Sequence, residues 1–152
     1  MRVLLRSKSR LHKSPELSLV DPSLACASLG INADRLAQDP EFFEQVFESL
    51  VVRDMRSVVE ARFGTTYHYR DNVGLEIDLI LEFTESTWAA LEVKLGGTRI
   101  AEAERNLLTL RDSRVDLGRV GQPALLAIVT ATEYTYTLPL GVHVVPLATF
   151  KT

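Results

Sequence analysis

Asp78, Glu92 and Lys94 are the side chains of this 152-residue chain whose types and spacing fit a reaction. Residues two apart on a β-strand point the same way, about 7 Å apart, so Glu92 and Lys94 share one face of any strand formed by residues 88–95. Asp78 falls on the polar side of the alternating run 75–83, with Leu75, Ile77, Leu79, Leu81 and Phe83 on the other. In an antiparallel hairpin of the two runs, a carboxyl from each strand meets at one point. Two carboxylates suit a hard cation such as Mg2+, which keeps several waters and takes one or two protein carboxylates; Mn2+ accepts the same oxygen donors. A neighbouring lysine supplies a point charge for a water or an attacked phosphate. Metal plus lysine is equipment for hydrolysing a phosphodiester, because the ion polarises phosphoryl oxygens and lowers the pKa of its bound water. The same three side chains also fit a structural ion network, since a charge on an interior strand needs a partner as much as a function. On these residues alone both remain open.

The elements that must position them follow from turn chemistry and periodicity. Asp21-Pro22 pairs an N-cap residue with proline at the first helical position, and Gly30 follows as a stop, predicting a short helix over 22–29. Asp39-Pro40 repeats the signal. Phe43, Phe47, Leu50, Val51, Val58 and Val59 then recur at helical spacing, with Glu44 and Glu48 one turn apart on the flank and an end near Phe63-Gly64. Three strands are predicted next, over 66–70, 75–83 and 88–95, the last stopped by Gly96-Gly97. A second long helix covers about 98–112. The continuous apolar run 124–130 reads as a strand covered on both faces, and 134–138 and 142–145 as two short strands. This order predicts a mixed α/β domain, a mixed central β-sheet flanked by helices.

Composition bounds the class. With 46% hydrophobic and 24% charged residues, the chain is that of an ordinary globular protein, which excludes a disordered tail, a collagen-like rod and a disulfide scaffold. Its one cysteine, Cys26, cannot form an internal disulfide and fits a reducing compartment. No run reaches the ~18 apolar residues of a membrane span, and the start lacks the pattern of a signal peptide. The expectation is a cytoplasmic protein with no membrane partner. A net charge of −3 argues against strong general affinity for nucleic acid. The charge is uneven, however: Arg2, Arg6, Lys8, Arg10 and Lys13 stand among the first thirteen residues, where there is no acid. Residues 1–20 therefore read as a basic N-terminal segment, either solvated and carried over from a longer protein or a phosphate-contacting arm. Residues 21–152 read as a single domain.

A helix glutamate, a strand aspartate and Glu-x-Lys on the next strand resemble the PD-(D/E)xK nuclease superfamily, the restriction-endonuclease-like fold. The carriers are Glu76-Ile77-Asp78, Leu91-Glu92-Val93-Lys94-Leu95 and the preceding helix, in which Glu48 holds the matching position and Glu44 is the next candidate. A narrower resemblance covers nearly the whole chain. Lys13-Ser14-Pro15, Val20-Asp21, Phe47 to Asp54, Tyr67 to Asp71, Glu76 to Asp78, Leu91 to Gly96 and Gly141 to Pro146 are similar to a domain of unknown function. That domain usually forms the C-terminal part of prokaryotic AAA+-type ATPases. No Gly-x-x-x-x-Gly-Lys-Ser/Thr phosphate loop occurs in this chain, so the resemblance is to the C-terminal part alone, with a separate ATPase as a partner.

The resemblance implies a Mg2+- or Mn2+-dependent hydrolase acting on DNA. Asp78 and Glu92 would bind the metal with the Val93 backbone carbonyl; Lys94 would orient or activate the attacking water, and Glu48 would hold that water or a second ion. The competing expectation is a non-catalytic interaction or oligomerisation module associated with an ATPase, its acidic cluster a structural remnant. A homodimer is compatible with either. His12, His68 and His143 are too scattered for metal-ligand spacing, and neither a Ser/His/Asp triad nor a zinc motif is present. Arg99 and Arg105, on or near the second long helix, read as solvated surface or as approaches to a phosphate backbone.

Overall fold

The structure, a computed structural model, describes residues 21–84 and 86–150; the basic segment 1–20 and its candidate arm lie outside the described residues. Both Asp-Pro signals start helices. Asp21 caps α1 (Pro22–Ser28) by accepting from the Ser23 N–H at 2.9 Å, and Asp39 caps α3 (Pro40–Glu60) by accepting from the Phe42 N–H at 3.1 Å. Between them lies α2 (Ala33–Gln38), capped by Asn32. It buries none of its side chains and so leaves no apolar period in the sequence. On α3 the buried stripe is Phe47, Val51, Met55 and Val59, one residue per turn; Phe43, expected on that face, is exposed.

Strands β1 (Thr65–Arg70), β2 (Glu76–Glu82), β3 (Trp88–Lys94), β4 (Leu125–Thr130), β5 (Tyr136–Thr137) and β6 (His143–Pro146) form one mixed sheet in the order β1-β2-β3-β4-β6-β5. The first two pairings are antiparallel, β3–β4 and β4–β6 are parallel, and β5 returns antiparallel to β6. A 3-10 turn (Gly97–Arg99) leads from β3 into α4 (Ile100–Thr109), which ends in a π-helical turn (Leu110–Arg114); the short α5 (Leu117–Val120) precedes β4. The mixed α/β fold with helices on its sheet is thus as expected, and the strand predicted over 134–138 shrinks to two residues.

Helices cover both faces of the sheet. The α3 stripe packs on Leu79, Leu81, Leu91, Val93, Ala127 and Val129. On the other face, Ile100, Ala103 and Leu107 of α4 pack on Ile77, Ile80, Ala90 and Ile128. Central β3 is consequently buried at all seven positions. Where α3 turns into β1 the chain passes so close to β2 that only glycine fits. A Cβ on Gly64 would stand 2.6 Å from Val59 Cγ1 and 2.8 Å from the Glu82 carbonyl oxygen.

One irregularity corrects the sequence expectation. Tyr67 pairs with Ile80 and Tyr69 with Ile77, so His68 alone opposes both Asp78 and Leu79. The extra residue is a β-bulge, which switches the faces of the strand beyond it. Leu75 and Ile77 therefore join Ile80 in the α4-side core, whereas Leu79 and Leu81 point to α3. The alternation over 75–83 does not keep its apolar residues on one face.

Candidate functional site

The site forms where the β2–β3 ladder ends. Cα pairing between these strands runs from Glu82↔Trp88 to Leu79↔Leu91 and stops at the bulge. Beyond it the Asp78 side chain takes the place of a backbone acceptor: its Oδ2 receives the Val93 N–H at 2.7 Å. The bulge thus aims Asp78 at β3. Across from it, Lys94 Nζ donates to Glu92 Oε2 at 3.3 Å and lies 3.7 Å from Asp78 Oδ2. The other Glu92 oxygen accepts from Asn106 Nδ2 of α4 at 3.0 Å. Only 2% of the Glu92 side chain is exposed, against 11% for Lys94 and 13% for Asp78.

Electrostatics follow from that burial. Desolvation pushes the Glu92 carboxyl up to about 8, and the Asp78 carboxyl beside it adds to the rise; Lys94 and Asn106 act in the opposite sense. Burial also works against the Lys94 charge, but Asp78 and Glu92 outweigh it and hold the ammonium above its ordinary range. A buried like-charge pair is costly until a proton or a cation stands beside it. Here the ammonium lowers that cost in part, and the proton that Glu92 retains up to about 8 removes the rest.

The three side chains sit in a cleft of about 480 Å3 whose wall carries Glu41, Glu44 and Glu48 of α3 and Glu76 of β2. His68 Nε2 lies 3.0 Å from Glu76 Oε1, and its Nδ1 3.4 Å from the Asp78 carbonyl oxygen, so the residue opposite the bulge braces both ends of the Glu76–Asp78 segment. Asp78, Glu92 and Lys94 are therefore brought together, and Glu48 lines the same cleft. Among the described residues no three His, Cys, Asp or Glu side chains are gathered closely enough to hold a metal ion. The donor set is a pair of carboxyls from adjacent strands, with the Val93 carbonyl between Glu92 and Lys94. It fits a hard divalent cation that retains most of its water.

Sequence reasoning missed Asn106. Its signal was available: Arg99, Glu102 and Asn106 recur at spacings of three and four, one polar face of a helix that otherwise buries Ile100, Ala103 and Leu107. All three line the cleft.

Residues 43–150 match a family described as Domain of unknown function (DUF4143). The chain belongs to this family. The DUF4143 match runs from α3 to the end of the described chain, so it contains Glu48, Asp78, Glu92, Lys94, Arg99 and Asn106 and leaves out α1 and α2. No curated protein and no solved structure matches the chain. No described helix is long and apolar enough to cross a membrane.

Proposed function

We propose that this DUF4143 chain is a PD-(D/E)xK-type nuclease domain that hydrolyses DNA phosphodiester bonds with Mg2+ or Mn2+. The observation that carries it is the convergence of Asp78 and Glu92, from adjacent strands, on the Lys94 ammonium, in a cleft that Glu48 also lines. Asp78 and Glu92, with the Val93 carbonyl, would hold the ion, which polarises a phosphoryl oxygen and acidifies its bound water. Lys94 holds its proton firmly and orients the attacking water by hydrogen bonding. Glu48, on the α3 side of the cleft, accepts from that water or holds a second ion. Asn106 fixes the Glu92 carboxyl so that its other oxygen stays turned to Lys94. The resemblance to domains attached to AAA+-type ATPases supports a separate ATPase as partner.

The test is incubation of labelled duplex DNA with Mg2+ or Mn2+. The wild-type protein is expected to cleave, and Lys94→Ala to cleave at least ~100-fold more slowly, the scale of losing a positioned proton donor or acceptor. Equal cleavage by both proteins, or by neither, overturns the proposal.

One observation favours a second function, an interaction module without catalysis. Lys94 contacts both carboxyls, so the cluster forms a self-contained polar network. Calorimetric titration separates the two: no heat on adding Mg2+ to the wild type, together with lowered stability of Asp78→Asn, supports the module.

A further inference from the structure

Among the described residues two cations line the cleft, and they are held differently. Lys94 is buried and committed to Asp78 and Glu92. Arg99 is half exposed, and its guanidinium is gripped from two elements: Nη1 donates to Glu44 Oε2 of α3 at 3.0 Å, and Nε to Glu102 Oε2 of α4 at 3.2 Å. The geometry points to Arg99 as the residue that binds a phosphate of the nucleic-acid backbone, and to Glu44 as an internal latch that occupies it until that phosphate arrives. The inference rests on the nuclease function proposed for the same cleft.

Three features carry it. A guanidinium fork matches carboxylate and phosphate oxygens with the same paired geometry, so the group that satisfies Arg99 in the free protein is a chemical stand-in for phosphate. Exposed ion pairs are weak, because water competes for both charges; Glu44 can therefore be displaced without disturbing the core. The Glu102 contact lies within one helical turn of Arg99 and needs no movement of α3, so it keeps the guanidinium aimed after Glu44 lets go. Access is open as well, because half of the Arg99 side chain is exposed. The latch also spans α3 and the start of α4, so its release frees one link between the two elements that flank the catalytic cluster.

Binding of a fluorescent DNA duplex, measured by anisotropy at low salt in EDTA, tests the latch without requiring cleavage. Arg99→Ala is expected to weaken binding about tenfold, the scale of a lost charge-assisted bond, with Arg99→Lys between it and the wild type. Glu44→Gln is expected to tighten binding about threefold, and that gain should vanish in the Glu44→Gln/Arg99→Ala double variant. Glu41→Gln removes the same charge from the same lining and gives the gain due to general electrostatics alone. Thermal melting checks that each variant is folded. The latch is overturned if Glu44→Gln gains no more than Glu41→Gln, if its gain survives without Arg99, if Arg99→Ala binds as wild type, or if no variant binds. If the cycle closes as stated and Mg2+ still gives no cleavage, hydrolysis fails and the latch stands. If cleavage occurs and the cycle does not close, only the latch fails.

Discussion

Proton binding at Glu92 couples the site to the stability of the fold. Its carboxyl is pushed from an ordinary value of 4.5 up to about 8, first by burial and then by Asp78. Below about 4.5 the folded and unfolded chains both carry the proton. Between there and 8 the unfolded chain releases it while the folded chain retains it, so the stability conferred by the protonated group is lost as pH rises. The expected slope approaches ~1.4 kcal/mol per pH unit at most. In chemical denaturation from pH 5 to 8.5, Glu92→Gln should flatten the curve and be stabilising relative to wild type at the alkaline end; a parallel curve would show that Glu92 titrates normally. At this scale the sequence was informative about identity. A charge inside an apolar strand, and a second two residues on, marked Glu92 and Lys94. Asn106 was less visible because amides are common on helix surfaces, and its partner belongs to a strand fourteen residues away.

Elements determine where those side chains meet. The β1–β2 turn is held by Asp71, whose side chain is fully buried; Oδ1 accepts from the Val73 and Leu75 N–H groups, both at 2.9 Å, and Oδ2 from Arg114 Nε at 2.8 Å. Burial alone would raise this carboxyl, but the Leu75 amide, Arg114 and the Val73 amide together hold it below its ordinary range. Arg114 comes from the π-helical turn after α4, so one carboxylate ties the hairpin that carries Asp78 to the helix that carries Asn106. Asp71→Ala should therefore cost about 3 kcal/mol in urea denaturation at pH 7, and Arg114→Ala less, because Arg114 is partly exposed. Asp71's contribution is complete above its ordinary pKa of 3.8 and disappears as pH falls through its lower folded value. The main helices and strands were legible because each has a cap, a stop or a clear period. The bulge was not. Its extra residue leaves every residue type in 75–83 compatible with unbroken alternation, and only pairing with β1 reveals the slip.

Charge is distributed unevenly over the whole molecule. Among the described residues the cleft is lined by seven acids and two bases, a field that repels a polyanion until cations accumulate there. The basic residues Arg2, Arg6, Lys8, Arg10 and Lys13 precede the described fold in sequence. Replacing all five with Gln in the full chain should weaken DNA binding and make the plot of log affinity against log salt shallower by up to ~4.5, about 0.9 for each phosphate no longer neutralised. An unchanged slope would mean that these residues do not contact the backbone. The overall architecture was readable because helix, three strands, helix and further strands suit few layered arrangements. Which faces converge on the cleft depended on pairings that sequence spacing does not specify.

The hydrogen bond from the Val93 N–H to the Asp78 carboxyl has a spectroscopic consequence. An amide proton pointed at a carboxyl oxygen changes resonance frequency when that oxygen gains a proton or shares its lone pairs with an ion. Val93 lies within buried β3, shielded from exchange with solvent. Its single cross-peak in a nitrogen–proton spectrum is thus a resident reporter of the loading of Asp78, readable without substrate, label or turnover.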